Sequence, residues 1–133
     1  MRDPQSGRGA TILVVDDEPA VLGLMCCVLQ RAGHRVIPAH EATDALILIQ
    51  DCPDIDLLIC DVVMPGMPGT ELAEWVRSKR PGVRVVLSSG YDMDLVKSER
   101  SWQFLPKPFS PGALLDTVKE ALKRANAKVQ PTG

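Results

Sequence analysis

Two stretches decide how this chain is read: Thr11-Ile12-Leu13-Val14-Val15-Asp16-Asp17-Glu18, and Leu57-Leu58-Ile59-Cys60-Asp61. Each is a short apolar run that ends in carboxylate. If the two are neighbouring parallel strands, Asp16, Asp17 and Asp61 converge at the carboxyl edge of one sheet, where α/β proteins place their chemistry. Three carboxylates so close repel one another unless a hard divalent cation neutralises them. An oxygen-ligand Mg²⁺ site is therefore the first expectation.

The remaining chain supplies the rest of such a sheet. Arg35 to Ala39, Val83 to Leu87 and Trp102 to Leu105 are further short strand candidates. Between the strands lie helical periods: Glu18 to Ala32, with Val21, Leu24, Met25, Val28 and Leu29 as its core stripe; Glu41 to Gln50; and a helix from about Thr70 to Ser78 after the Pro- and Gly-rich run 64–69. A final helix runs from Pro111 to about Ala125, with Ser110 as its N-cap. Strands alternating with helices imply a parallel sheet covered on both faces. The expectation is a flavodoxin-like, doubly wound α/β fold of five strands in order 2-1-3-4-5 with five helices. That order puts the first and third strands side by side, as the acidic cluster requires. The domain is expected over 10–126, with 1–9 and 127–133 as disordered tails.

Composition narrows the class. The 133 residues suit one domain, and 45% hydrophobic with 24% charged residues is ordinary for a globular protein. A net charge of −2 offers no attraction to nucleic acid or to an anionic membrane. No apolar stretch approaches the roughly 20 residues that span a bilayer, so a cytoplasmic location is expected. The four cysteines, Cys26, Cys27, Cys52 and Cys60, lack metal-ligand spacing and read as small buried side chains.

Two further strand ends carry matching chemistry. The fourth finishes in Ser88-Ser89-Gly90 and the fifth is followed by Pro106-Lys107-Pro108-Phe109. Taken singly, Asp17 or Glu18 could cap a helix, Ser88 could form a turn and Lys107 could be a solvated loop charge. Taken together, a carboxylate nucleophile, an acidic metal pair, a hydroxyl and a cation form a phosphoryl-transfer set.

In these motifs, Val14-Val15-Asp16-Asp17-Glu18, Asp61-Val62-Val63-Met64-Pro65-Gly66, Ser88-Ser89-Gly90-Tyr91 and Lys107-Pro108-Phe109, the chain resembles the receiver domain of two-component response regulators over Ala10 to about Ala125. The resemblance implies that Asp61 accepts a phosphoryl group from a phosphohistidine of a sensor histidine kinase or phosphotransfer protein. It implies that Asp17, Asp61 and the Val63 carbonyl coordinate Mg²⁺, with Asp16 acting through bound water. Ser88 and Lys107 would each hold a phosphoryl oxygen, and the Lys107-Pro108 bond would be cis. Ser88 and Phe104 would form the conformational switch, and Val63 and Gly90 would leave the hydrolytic water unoriented. Such a domain is a signalling phosphoacceptor and catalyses only its own phosphorylation and dephosphorylation. The Ser88 to Tyr91 and Pro106 to Pro111 segments look most like receivers of hybrid histidine kinases.

Two other classes share parts of this chemistry. A haloacid-dehalogenase-type phosphatase needs a second Asp two residues after its nucleophile, and position 63 is Val. A flavin mononucleotide-binding flavodoxin needs a hydroxyl-rich loop where Asp16-Asp17-Glu18 stands. The first helix is more apolar than one stripe requires, so Leu22 and Cys26 are expected on the partner surface. A homodimer is the other partner to consider, although the polar segment 92–100 offers few core residues to the face many receivers use.

Overall fold

A computed structural model describes residues 9–90 and 102–129, with side chains of the last helix to 123. Five parallel strands, β1 (Thr11–Val15), β2 (Arg35–Ala39), β3 (Leu57–Asp61), β4 (Arg84–Ser89) and β5 (Gln103–Pro106), form one sheet in order β2-β1-β3-β4-β5. The described helices are α1 (Pro19–Arg31), α2 (Ala42–Asp51), α3 (Gly69–Lys79) and α4 (Pro111–Val129). The flavodoxin-like topology is as expected. The fifth expected helix falls in 91–101, outside the described residues, as do residues 1–8 and 130–133 of the expected tails. The homodimer face shares that segment.

The sequence explains why β1 and β3 are central. Every residue of both strands is buried, because helices cover both faces of the sheet and leave no solvated side. Alternation then sorts side chains into two cores. Leu13, Val15, Leu58, Cys60, Val85 and Leu87 face α2 and α3, whereas Ile12, Val14, Leu57, Ile59, Val86 and Leu105 face α1 and α4. Edge strand β2 carries Pro38 opposite Val14, which removes one donor from a strand flanked on one side only.

The amino ends of the strands are fastened by side chains. Thr11 N–H donates to Asp56 Oδ2 at 2.8 Å, and Ala10 N–H donates to Nδ1 of His34 at 2.9 Å. That bond requires a neutral imidazole, and partial burial holds the His34 pKa below its ordinary value. Gly9 sits at φ +87°, and a Cβ there would overlap the Gly33 carbonyl. Arg80 ties α3 to α2 by donating to the Ile49 and Pro53 carbonyls at 2.5 and 2.8 Å.

The last helix starts as read, with Ser110 Oγ accepting from Ala113 N–H at 3.0 Å, and it continues to Val129, past Ala125. The expected core stripe of α1 needs correction. Leu22, expected on the partner surface, is 4% exposed, whereas Leu24, expected in the core, is 50% exposed. The reason is tertiary: α4 packs beside α1, and Leu22 joins Leu114, Val118 and Ala121 in one cluster. Cys26 is only partly buried against the same cluster.

Leu22→Ala should cost about 2–5 kcal/mol of unfolding free energy in urea titrations, as large-to-small core changes do. Leu24→Ala should cost less than about 1 kcal/mol, in keeping with its exposure. Similar losses at both positions would contradict the assigned phase of the helix.

Candidate phosphoacceptor site

The pleat that sorts the core also gathers the chemistry. Asp61 follows Leu57 and Ile59 on one face of β3, and Ser88 follows Val86 on the same face of β4. Continued one residue past the strand ends, the alternation places Asp16 of β1 and Lys107 of β5 on that face as well. In register, Asp61 stands beside Ser88.

Asp16 is fully buried, with Oδ1 accepting the Glu18 backbone N–H at 2.9 Å and Oδ2 accepting the Lys107 ammonium at 2.9 Å. Lys107 Nζ also lies 3.4 Å from Asp61 Oδ2 and 3.7 Å from Glu18 Oε1. Asp61 Oδ1 accepts the Val63 N–H at 3.3 Å. Carboxylate oxygens of Asp16, Asp17 and Asp61 lie within 4.8 Å of one another, with Asp17 exposed at the mouth. Three convergent oxygen ligands, one of them open to water, fit a hard divalent cation such as Mg²⁺.

The electrostatics follow from burial. Desolvation raises the Asp61 pKa above the ordinary carboxyl range; the Lys107 charge opposes that rise and Asp16 adds to it. For Lys107, burial alone would favour the neutral amine, but the hydrogen bond and charge of Asp16, then those of Asp61, raise its pKa and keep it cationic. Burial also raises the pKa of the neighbouring Cys60 thiol, with the Asp61 and Asp16 charges adding to the effect, so it is an inert neutral group.

The other expected residues fall around this centre. Ser88 is buried and its hydroxyl donates to the Leu105 carbonyl at 2.8 Å, so it is engaged with β5 rather than with Asp61. Lys107-Pro108 is cis. Phe104 is half-buried on the opposite face of β5, against the α2–α3 core, and Val63 is 50% exposed.

Two contributors were missed by sequence reasoning. Glu18 is the N-cap residue of α1, yet its side chain makes no capping hydrogen bond and reaches Lys107 instead. Gly69 opens α3 directly against β3: its N–H donates to the Val62 carbonyl at 2.8 Å, and a Cβ there would overlap the Asp61 carbonyl. The doubled Pro-Gly spacing of 65–69 was the available signal for the second.

Residues 12–119 match the family model of the response regulator receiver domain. The chain belongs to that family. It is 36% identical over 120 residues to the sensor kinase CckA of Brucella abortus, covering 86% of this chain and 13% of that protein. It is also 36% identical over 117 residues to the DNA-binding regulator NtrC of Azospirillum brasilense, covering 85% and 24%. Among solved structures, a CheY-like receiver domain protein from Methanospirillum hungatei superposes with a TM-score of 0.81 at 31% identity, covering 90% of this chain and 98% of that one. The receiver domain of the hybrid histidine kinase CckA gives 0.74 at 35% identity, covering 85% and 99%. The chain thus spans only part of the curated relatives it matches, and it matches isolated receiver domains nearly whole. Receiver domains are signalling modules rather than conventional enzymes. Among the described residues, no helix is long and apolar enough to cross a membrane.

A raised carboxyl pKa means that the folded state binds a proton more tightly than the unfolded chain, so ionising Asp61 lowers stability as pH rises through the ordinary carboxyl value and beyond. In the absence of divalent cations, Asp61→Asn should therefore be more stable than the parent at pH 7. The gap should close below about pH 3.9, where an ordinary Asp is protonated in either state. Denaturant titrations at the two pH values check this, and a gap that is absent or widens on acidification contradicts it.

Proposed function

We propose that this receiver is the phosphoacceptor of a two-component phosphorelay, in which Asp61 takes a phosphoryl group from the phosphohistidine of a sensor histidine kinase or phosphotransfer protein. The observation that carries the reading is the Asp61 carboxylate, 3.4 Å from the Lys107 ammonium and beside the acidic pair Asp16-Asp17. Asp16, Asp17, Asp61 and the Val63 carbonyl would hold Mg²⁺, which supplies the positive charge that an anionic nucleophile and an anionic phosphoryl group need in common.

The protein's own part is positioning. An Asp61 carboxylate oxygen forms the bond to phosphorus while the bond from phosphorus to the histidine nitrogen breaks, and the imidazole leaves with that electron pair. Lys107 exchanges its carboxylate partners for a phosphoryl oxygen, keeping the new charge paired. Ser88 exchanges the Leu105 carbonyl for another phosphoryl oxygen, and Phe104, next to Leu105 on the opposite face of β5, shifts as that strand is released. The signal is that change of shape. The receiver unit, expected over 10–126, takes in all of α4 to Val129, and the cytoplasm, where such kinases present their phosphohistidine, is its place of action. Similarity to CckA favours membership of, or partnership with, a hybrid kinase.

With Leu22 in the core, the partner surface of α1 is assigned to exposed Leu24 and Cys27, flanked by Cys26. A half-exposed leucine on the helix that follows Asp16-Asp17 suits the apolar face of a helical donor.

Acetyl phosphate with Mg²⁺ should add one phosphoryl group to the protein by intact mass and none to Asp61→Asn. A base-labile label persisting in Asp61→Asn would overturn the assignment. Leu24→Glu should slow transfer from a cognate phosphohistidine by about tenfold or more, equivalent to about 1.4 kcal/mol of docking energy. Labelling of that variant by acetyl phosphate should stay within about twofold, because a small donor needs no docking. Equal loss with both donors would remove Leu24 from the partner surface.

A further inference from the structure

Glu18 occupies a place that neither helix capping nor the acidic cluster explains. Of the three carboxylates that reach Lys107 among the described residues, two, Asp16 and Asp61, belong to the convergent set with Asp17; Glu18, at 3.7 Å, stands outside it. Its backbone is fixed, because its N–H donates to Asp16 Oδ1 and Pro19 begins α1 immediately after it. Its side chain is 64% exposed, whereas that of Lys107 is 17% exposed. The Glu18 carboxylate therefore meets the ammonium from the solvent side, across the mouth through which a phosphoryl donor must enter.

We infer that Glu18 is a donor-selecting residue: it competes with the incoming phosphoryl oxygen for Lys107 and repels small, fully charged phosphodonors. The inference rests on the phosphoacceptor reading of Asp61. Charge decides its direction. Asp16, Asp17, Asp61 and Glu18 against Lys107 leave the site at minus three; a divalent cation brings it to minus one, and Glu18→Gln would bring it to neutrality. A dianion such as acetyl phosphate meets that last negative charge at the mouth. A phosphohistidine delivered by a docked protein is less affected, because surface contacts elsewhere offset the same repulsion.

The test compares the parent, Glu18→Gln and Glu18→Asp at saturating Mg²⁺. Glu18→Gln should be labelled by acetyl phosphate about three- to tenfold faster at low salt, the size expected of one unit charge near a dianion in water. The gain should shrink towards unity near 0.5 M salt, where the screening length is only a few ångströms. Phosphoramidate, which carries less net negative charge, should gain less, and Glu18→Asp should stay within about twofold of the parent because it keeps the charge. A gain that survives salt, no gain, or a loss overturns the inference, since none of these follows from a charge at the mouth. So does a Mg²⁺ affinity, read from the shift in melting temperature, that falls tenfold in Glu18→Gln, because Glu18 would then belong to the metal set. Failure of the parent itself to label would instead overturn the reading of Asp61.

Discussion

The ammonium of Lys107 between Asp16 and Asp61 is the contact on which the rest of this molecule turns. Two largely buried carboxylates at neighbouring strand ends are unfavourable neighbours, and a cation delivered from the far side of β4 makes their approach tolerable. It can be delivered there because the strand order places β3 between β1 and β4, and because alternation keeps Asp16, Asp61, Ser88 and Lys107 on one face. Gly69 completes the arrangement by letting α3 begin directly against the carbonyl of Asp61. On the proposed phosphoacceptor reading, a cation in the acidic cluster and a phosphoryl group on Asp61 would both act by redistributing the partners of that one ammonium.

Much of this was legible in the sequence for a physical reason. Strands buried on both faces read as unbroken apolar runs, and their ends are marked by the polar residues that carry the chemistry, so the runs at Thr11 to Val15 and Leu57 to Cys60 gave the sheet and the site together. The phase of α1 was not legible. That helix is apolar nearly all round, so its periodicity fits more than one stripe, and only the position of α4 beside it decides that Leu22 is covered and Leu24 is not. Glu18 was hidden by a similar ambiguity: an acidic residue before a proline at a helix start is the ordinary sign of a cap, and its reach to Lys107 depends on a residue 89 positions away.

Ser88 ties the carboxyl edge of β4 to β5. Its hydroxyl has one proton to donate and spends it on the Leu105 carbonyl, a bond that pins β4 to β5. On the proposed reading, a phosphoryl oxygen on Asp61 would compete for the same proton, and its negative charge would make it the stronger competitor. The backbone carbonyl of β5 would then be left to find another donor, a route by which a local charge would reach a strand on the edge of the sheet.

The two ends of the sheet differ in kind. At the amino ends, Thr11 and Ala10 are fixed by Asp56 and His34 through backbone hydrogen bonds that set strand register and take no part in the acidic cluster. At the carboxyl ends, the side chains sit in mutual electrostatic tension. Register is thus held at one pole and the charged cluster at the other, and the span of the strands separates them. A scaffold divided in this way can exchange the residues of its charged edge while the pairing of its strands stays in place, so one framework can be retuned for new signals at little risk to its folding.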